Sequence, residues 1–405
     1  MTFILTPEQL IDIAEGMARE IRKGLAASDG DLLCLPTFIL LSDRPDPGNA
    51  LVIDVGGTHV RCAVVGLAAG HPPAVIQGPV TDKIPARRGA AISGNAFLES
   101  LAGVVERLRP PAGLPLGYCF SYPARPTPDG DAVILHWTKE LFVEETIGRK
   151  AGGMLRDHLR DRFPELAIGE VIVINDTIAA LLAGMSVSPT DAPVGLIIGT
   201  GTNLALLLPP AHIPKLAGGP YRQTPLPVNL ESGNFHPPHL NQWDEALDAA
   251  SHNPGRQRFE KAVSGYYLPY LFKLACPESD LDPAAGSAPL FARAYPATPP
   301  STTSSETVLA RQIIARSADL IAAALAGAAI VLTRDIGAGS IGVTAEGGLF
   351  QAHHHYRETI NAALRRLLTD LGLSGDLVTM QTVPMANLIG SALAARSMTA
   401  KTRQS

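Results

Sequence analysis

No single sign of charge dominates this chain. Its 33 Lys and Arg stand against 38 Asp and Glu, a net of −5, with no basic stripe and no polybasic run. Neither nucleic acid nor a membrane surface is therefore an expected partner. Cysteine is sparse: Cys34, Cys62, Cys119 and Cys276 lie far apart and fit neither a C-x-x-C metal knuckle nor a disulfide framework. Reduced thiols in a cytoplasmic protein are the simplest account. The first residues lack the charged start and apolar core of a signal peptide, and the longest apolar runs read as too short or too interrupted to cross a bilayer. A short-period repeat is missing as well. These absences describe a soluble protein, and 405 residues allow two or more domains with full cores, needing no disulfide or metal for stability.

What the chain has is glycine where apolar runs end. Leu51 to Val65 runs apolar to Asp54, passes Gly56-Gly57-Thr58 and resumes as strand-forming residues from Val60, the pattern of a β-hairpin with a glycine turn. Paired glycines let the backbone approach a ligand closely. Turn amides with Thr58 can hold phosphate oxygens, and Asp54 at a strand end can hold magnesium through water. Taken alone, such a turn is equally a tight hairpin. Val171 to Ile174 is a short β-branched run ending at Asn175-Asp176-Thr177, directly before a helix of small and aliphatic residues. That order puts Asp176 at the carboxyl end of a strand, where open α/β sheets place their ligands. From Val194 the hairpin logic repeats, with Gly199-Thr200-Gly201-Thr202-Asn203 between two apolar runs. Two facing hairpins could grip opposite ends of a polyphosphate.

Around these stretches the pattern predicts helices. One is amphipathic and begins at a Thr6-Pro7-Glu8-Gln9 capping box; others cover Gly89 to Leu108, Thr146 to Phe163, Arg256 to Leu274, Arg311 to Leu332, Asn361 to Leu371 and Ala386 to Arg396. Strands are expected at Val75 to Gln77 and Leu116 to Ser121, and a glycine-dense strand and turn at Gly337 to Phe350. Pro277 to Ser305, rich in proline, alanine, serine and threonine, reads as a long exposed loop or flap. His353-His354-His355 reads as a surface tract, because three consecutive side chains diverge and lack the i, i+4 geometry of a helical zinc pair.

Seven motifs follow one another in a fixed order: Asp54-Val-Gly-Gly-Thr58, Phe120-Ser-Tyr-Pro123, Trp137-Thr-Lys139, Asn175-Asp-Thr177, Gly199-Thr-Gly-Thr-Asn203, Glu231-Ser-Gly233, and Asn253-Pro-Gly255 with Phe259-Glu-Lys261. The whole chain thereby resembles the hexokinase/glucokinase family of the actin-like ATPase superfamily, at the length of a single bacterial-type unit. The resemblance implies an α/β, two-lobed actin-like ATPase (ribonuclease H-like) fold. Its small domain would be 49–176 plus 386–405 and its large domain 1–48 plus 177–385, with a cleft between them that closes on the sugar to align the site and exclude water. It implies ATP-dependent phosphorylation of a hexose, glucose first, at the 6-hydroxyl, with Mg2+ and ATP as cofactors and only small-molecule partners. Ser121, Thr138, Lys139, Asn175, Asp176, Asn203, Glu231 and Glu260 would surround the hexose, with Asp176 as general base and Lys139 offsetting charge on the moving phosphoryl group. On the nucleotide side, Asp54, Gly56, Gly57, Thr58 and Arg61 resemble the first phosphate element, Thr200 and Gly201 the second, and Gly347-Gly348 the adenosine element. The other functional readings are a relaxed sugar kinase acting on fructose, mannose or glucosamine, and a non-catalytic hexose sensor.

The chain departs from the family's pattern at several points. Glu140-Leu141 stands where Gly-Phe is usual, Tyr122 replaces a phenylalanine, and Ser232 a tryptophan. Glu346-Gly347-Gly348 stands for Asp-Gly-Ser, Asn387 to Ser391 lacks that same triplet, and Pro277 to Ser305 is shorter than the family's nucleotide-contacting region. Bland roles are also available residue by residue: Asp176 as a helix cap, Glu260 as a helix-surface acid, Asn203 as a turn cap, Lys139 as a solvated charge and Ser121 as a buried hydroxyl bonded to backbone.

Overall fold

The computed structural model describes residues 3–27, 29–39, 46–57, 59–85, 91–138, 141–218, 224–296 and 304–402. Thr58, Lys139 and Glu140 of the motifs, and 297–303 of the proline-rich stretch, lie outside the described residues. The chain forms two compact units. One comprises Met1–Cys34, Leu196–Leu204 and Leu230–Met380, and the other Leu35–Gly195, Ala205–Asn229 and Gln381–Ser405. Compared with the domains expected from sequence, residues 35–48, 177–195, 205–229 and 381–385 fall with the glycine hairpin.

The hairpin unit is built on a five-stranded sheet in the order Ala74–Lys83, His59–Leu67, Gly48–Val55, Leu116–Phe120, Val171–Ile174. The first three strands form an antiparallel meander, and the last two add in parallel. Strand alternation divides the central run between two cores. Leu51, Ile53 and Val55 face the helices Gly94–Leu108 and Ala151–Arg162, while Ala50 and Val52 face Asp176–Met185 and Ala386–Thr402. Burial on both faces explains why this strand reads as a nearly continuous apolar run. The edge strand is longer than the expected Val75 to Gln77. Gln77, Pro79, Asp82 and Lys83 disguise it, being residues suited to an edge with no partner on one side.

The other unit wraps around the helix Ser305–Ile330, on which the helices Pro7–Ala26, Ser287–Ala294 and His354–Asp370 pack. The capping box forms as expected, Gln9 N–H to Thr6 Oγ1 at 3.3 Å and Thr6 N–H to Gln9 Oε1 at 2.9 Å. Contrary to the reading of the apolar runs, Ser305–Asp335 is long and apolar enough to cross a membrane, yet 89% of its most apolar window is buried inside the protein. A helix apolar around its whole circumference is a core helix once other helices cover it.

Two further expectations give way. Arg256 to Leu274 is not one helix but two, Arg258–Val263 and Leu268–Ala275, because the Gly265 N–H leaves the helical ladder to donate to the Gly199 carbonyl at 2.8 Å. Pro277 to Ser305 is no open loop as far as residue 296: it carries the Ser287–Ala294 helix and buries Leu281, Leu290 and Phe291. The histidine tract is split, His353 stacking on Phe291 at 3.7 Å while His354 and His355 stay exposed.

Two stability outcomes follow from this packing. A Cβ at Gly390 would lie 1.9 Å from the Ala179 carbonyl oxygen, so Gly390→Ala should cost upward of about 3 kcal/mol in denaturant unfolding, at the top of the overpacking range; an unchanged midpoint would contradict the packing. Asp319, on the central helix, has its pKa raised by burial to about 6 despite the nearby Arg366 charge. The folded state then holds a proton that the unfolded state has released, so this group costs stability as pH rises from about 4 to 6, and costs most above that. Asp319→Asn should gain about 2 kcal/mol at pH 7 and nothing at pH 4, read as a difference in Tm between the two pH values.

Candidate active site

In the hairpin unit, Asp54 is the next-to-last residue of its strand and stands opposite Arg61, and that register lets the guanidinium fork onto one oxygen: Nε and Nη2 lie 2.9 and 2.5 Å from Asp54 Oδ2. The other oxygen, Oδ1, is buried and receives no bond from a nitrogen or hydroxyl donor among the described residues. The weak Cys119 thiol stands across from it in the parallel register. Burial pushes the Asp54 carboxyl above its ordinary pKa; Arg61 and Cys119 pull it down, and the charge of Asp176 pushes it up again. Arg61 is thus committed to Asp54, at the base of the turn.

Asp176 is the first residue of its helix, and the cap belongs to Asn175, whose Oδ1 accepts the Thr177 N–H at 2.9 Å. The bland cap role for Asp176 is thereby filled by its neighbour. Its own Oδ1 accepts the Thr177 N–H at 2.9 Å and lies 3.4 Å from the Thr177 hydroxyl. Ser121 is buried at the end of its strand, its N–H donating to the Val55 carbonyl at 3.2 Å, and Thr138 is buried beside Trp137. Beneath them Phe97, Phe120, Tyr122 and Trp137 pack ring against ring, and the indole N–H donates to the Val143 carbonyl at 2.9 Å.

In the other unit, Asn203 Oδ1 accepts the Ser232 N–H at 3.0 Å, tying the strand to the turn that holds Glu231. Glu231 sits at φ +55, a left-handed conformation that a glutamate holds at a cost and that collects at functional sites. Glu260 Oε2 accepts the Thr202 N–H at 3.0 Å, and a Cβ at Gly201 would lie 2.4 Å from that same oxygen. Glycine at 201 is what admits the carboxylate. Gly199 packs against Gly347 and Gly348, so the elements resembling the second phosphate and adenosine sites share one backbone surface, with Thr200 exposed on its turn. Ser232 is fully buried and opens no space of its own.

Asp248 went unnoticed in the sequence. Both of its oxygens are taken: Oδ1 accepts Lys261 Nζ at 2.6 Å, and Oδ2 accepts the Gly255 N–H at 2.8 Å and Arg258 Nη1 at 3.1 Å. Burial alone would raise its pKa, but the Lys261 bond, the Gly255 amide and the two cations outweigh it and hold it below the ordinary value. The short helix carrying Glu260 is therefore moored at residues flanking that glutamate, and the Asn253-Pro-Gly255 motif is moored with it. No local pattern marks Asp248, because its partners lie seven to thirteen residues downstream.

Comparison with known proteins places this geometry. Models of the family described as Hexokinase match residues 1–186 and, in a second model, residues 193–279 and 298–397. Hexokinase-1 of Saccharomyces cerevisiae is 31% identical over 288 residues, covering 67% of this chain and 58% of the yeast protein. Hexokinase-9 of Oryza sativa subsp. japonica is 31% identical over 64% of this chain and 54% of its own length. The chain thus spans little more than half the length of these relatives. Among solved structures, a hexokinase from Schistosoma mansoni complexed with glucose superposes with a TM-score of 0.81 at 23% identity, covering 98% of this chain and 96% of its own. A ROK family glucokinase from Streptomyces griseus in complex with glucose and AMPPNP gives 0.54 at 16% identity over 85% and 98%. The fold is that of the actin-like ATPases, two α/β units with glycine turns at strand ends. Within that class the chain belongs to the hexokinase family.

Replacing Asp248 with Ala strands the buried Lys261 ammonium, so unfolding free energy should drop by about 3–5 kcal/mol. Denaturant titration checks this, and a loss under 1 kcal/mol would show that the mooring is weak.

Proposed function

We propose that the chain phosphorylates a hexose, glucose first, at the 6-hydroxyl with ATP as donor. The observation that carries this reading is the Asp176 carboxylate, which is buried, oriented and only half used. Thr177 holds Oδ1 through its N–H and hydroxyl, which fixes the side-chain rotamer. Oδ2, with no hydrogen bond to the described residues, is the atom that takes the proton from the attacking hydroxyl. Ser121, Thr138 and Asn175 in the hairpin unit are hydroxyls and an amide, and Asn203, Glu231 and Glu260 in the other unit an amide and two carboxylates, groups of the kinds that a sugar's donors and acceptors require. Lys139 adds a positive charge for the phosphoryl group in flight.

Gly56, Gly57, Thr58 and Arg61 take one phosphate end in this reading, Thr200 and Gly201 the other, and Gly347 and Gly348 the adenosine. The residues present fit magnesium: Asp54 has a buried oxygen without a nitrogen or hydroxyl donor, and repulsion from Asp176 is relieved by a dication. Asp54 would hold it through water, and bound magnesium supplies charge neutralisation across the phosphate oxygens. The chain's own contribution is orientation of the hydroxyl, proton removal and exclusion of water.

A coupled assay with Mg-ATP over glucose, fructose, mannose and glucosamine tests the proposal; folded protein that makes no hexose 6-phosphate from any of them refutes it. Asp176→Asn should cut kcat by roughly 10²–10⁴-fold while calorimetric sugar binding persists. Equal turnover in that variant would remove the base assignment.

A further inference from the structure

We infer that Tyr122 positions the donor nucleotide, by fixing which way the Gly57 amide points. The inference deepens the proposed function and rests on its reading of the glycine hairpin as a phosphate element.

Tyr122 leaves the sheet just after Ser121, and its hydroxyl donates to the Gly56 carbonyl at 3.0 Å. The ring has no freedom to withdraw, being 1% exposed, tilted against Phe120 at 5.3 Å and edge-on to Trp137 at 4.8 Å. Gly56 also donates its N–H to the His59 carbonyl at 3.0 Å, which closes the turn. Both backbone polar groups of Gly56 are therefore engaged. The peptide joining Gly56 to Gly57 is planar and trans, so its C=O and N–H point in opposite directions. A carbonyl held toward Tyr122 turns the Gly57 N–H the other way, and that amide donates to no described residue.

Between two glycines this peptide could rotate at little cost, since neither residue has a Cβ to restrict φ and ψ. The buried hydroxyl selects one orientation. Phenylalanine here would fill the same space without the selection. The Tyr122 hydroxyl acts through the Gly57 amide and touches neither sugar nor nucleotide.

The test compares wild type with Tyr122→Phe, which keeps the ring and its packing. We expect the KM for ATP, and the calorimetric Kd for AMPPNP with Mg2+, to rise about fivefold to tenfold, the scale of one buried hydrogen bond. The KM for hexose should stay within about twofold. A variant with unchanged ATP and AMPPNP parameters and only a lower Tm would overturn the inference and leave the kinase reading intact. Equal rises in both KM values would also overturn it, as general loosening. Wild type that binds no AMPPNP would overturn the phosphate reading and this inference with it.

Discussion

A methyl group has no room at Gly195 or Gly390, where it would sit 2.1 Å from the Thr177 carbonyl oxygen and 1.9 Å from that of Ala179, and both carbonyls belong to the first turn of the helix that Asp176 begins. Backbone meets backbone on two sides of that turn. Such contacts cannot relax by a change of rotamer, so close backbone packing holds the helix start in place. The Asp176 carboxylate is carried on that fixed turn. Asp54 and Tyr122 both feel the Asp176 carboxylate, and Arg61 offsets only one oxygen of Asp54.

The buried acids fall into two groups. In the unit that holds Glu260, Asp244 and Asp248 have both oxygens occupied, Asp244 by the Arg316 fork and Asp248 by Lys261, Arg258 and Gly255. Removing one partner from such a network is costly. In the hairpin unit Asp131 is likewise matched, by the Ala132, Gly152 and Gly153 amides, while among the described residues the matching is left incomplete at Asp54 Oδ1 and Asp176 Oδ2. Incomplete matching of a buried acid is what a site needs if a ligand is to finish the job.

How much of this could be read from the chain depends on how local the cause is. The capping box at Thr6, the glycine hairpin and the strand before Asn175 are set by neighbours in sequence, and they stand where the pattern puts them. The break at Gly265 depends on Gly199, the mooring of Glu260 on Asp248, and the turn at Gly56 on Tyr122, each a pairing across many residues with no periodic trace. Composition misled in Pro277 to Ser305, where a short apolar helix hides among prolines, and at the edge strand from Ala74, where polar residues suit its missing partner. The motif set singled out Asp176 and Glu260; it could not show that Asn175 takes the cap or that Glu260 also closes the Gly201 turn.

The unit wrapped around Ser305–Ile330 is assembled from segments far apart in the chain, with Gly327 set against Ala14 and Met17. The Pro7–Ala26 helix leaves the ribosome roughly 280 residues before its partner, on the order of 15 to 60 s at ordinary elongation rates. Until then the part of its apolar face that packs on Ser305–Ile330 stays uncovered. Birth of this protein is therefore a period of waiting, in which the other unit has most of its sheet available while the first helix remains a client for whatever shields nascent chains.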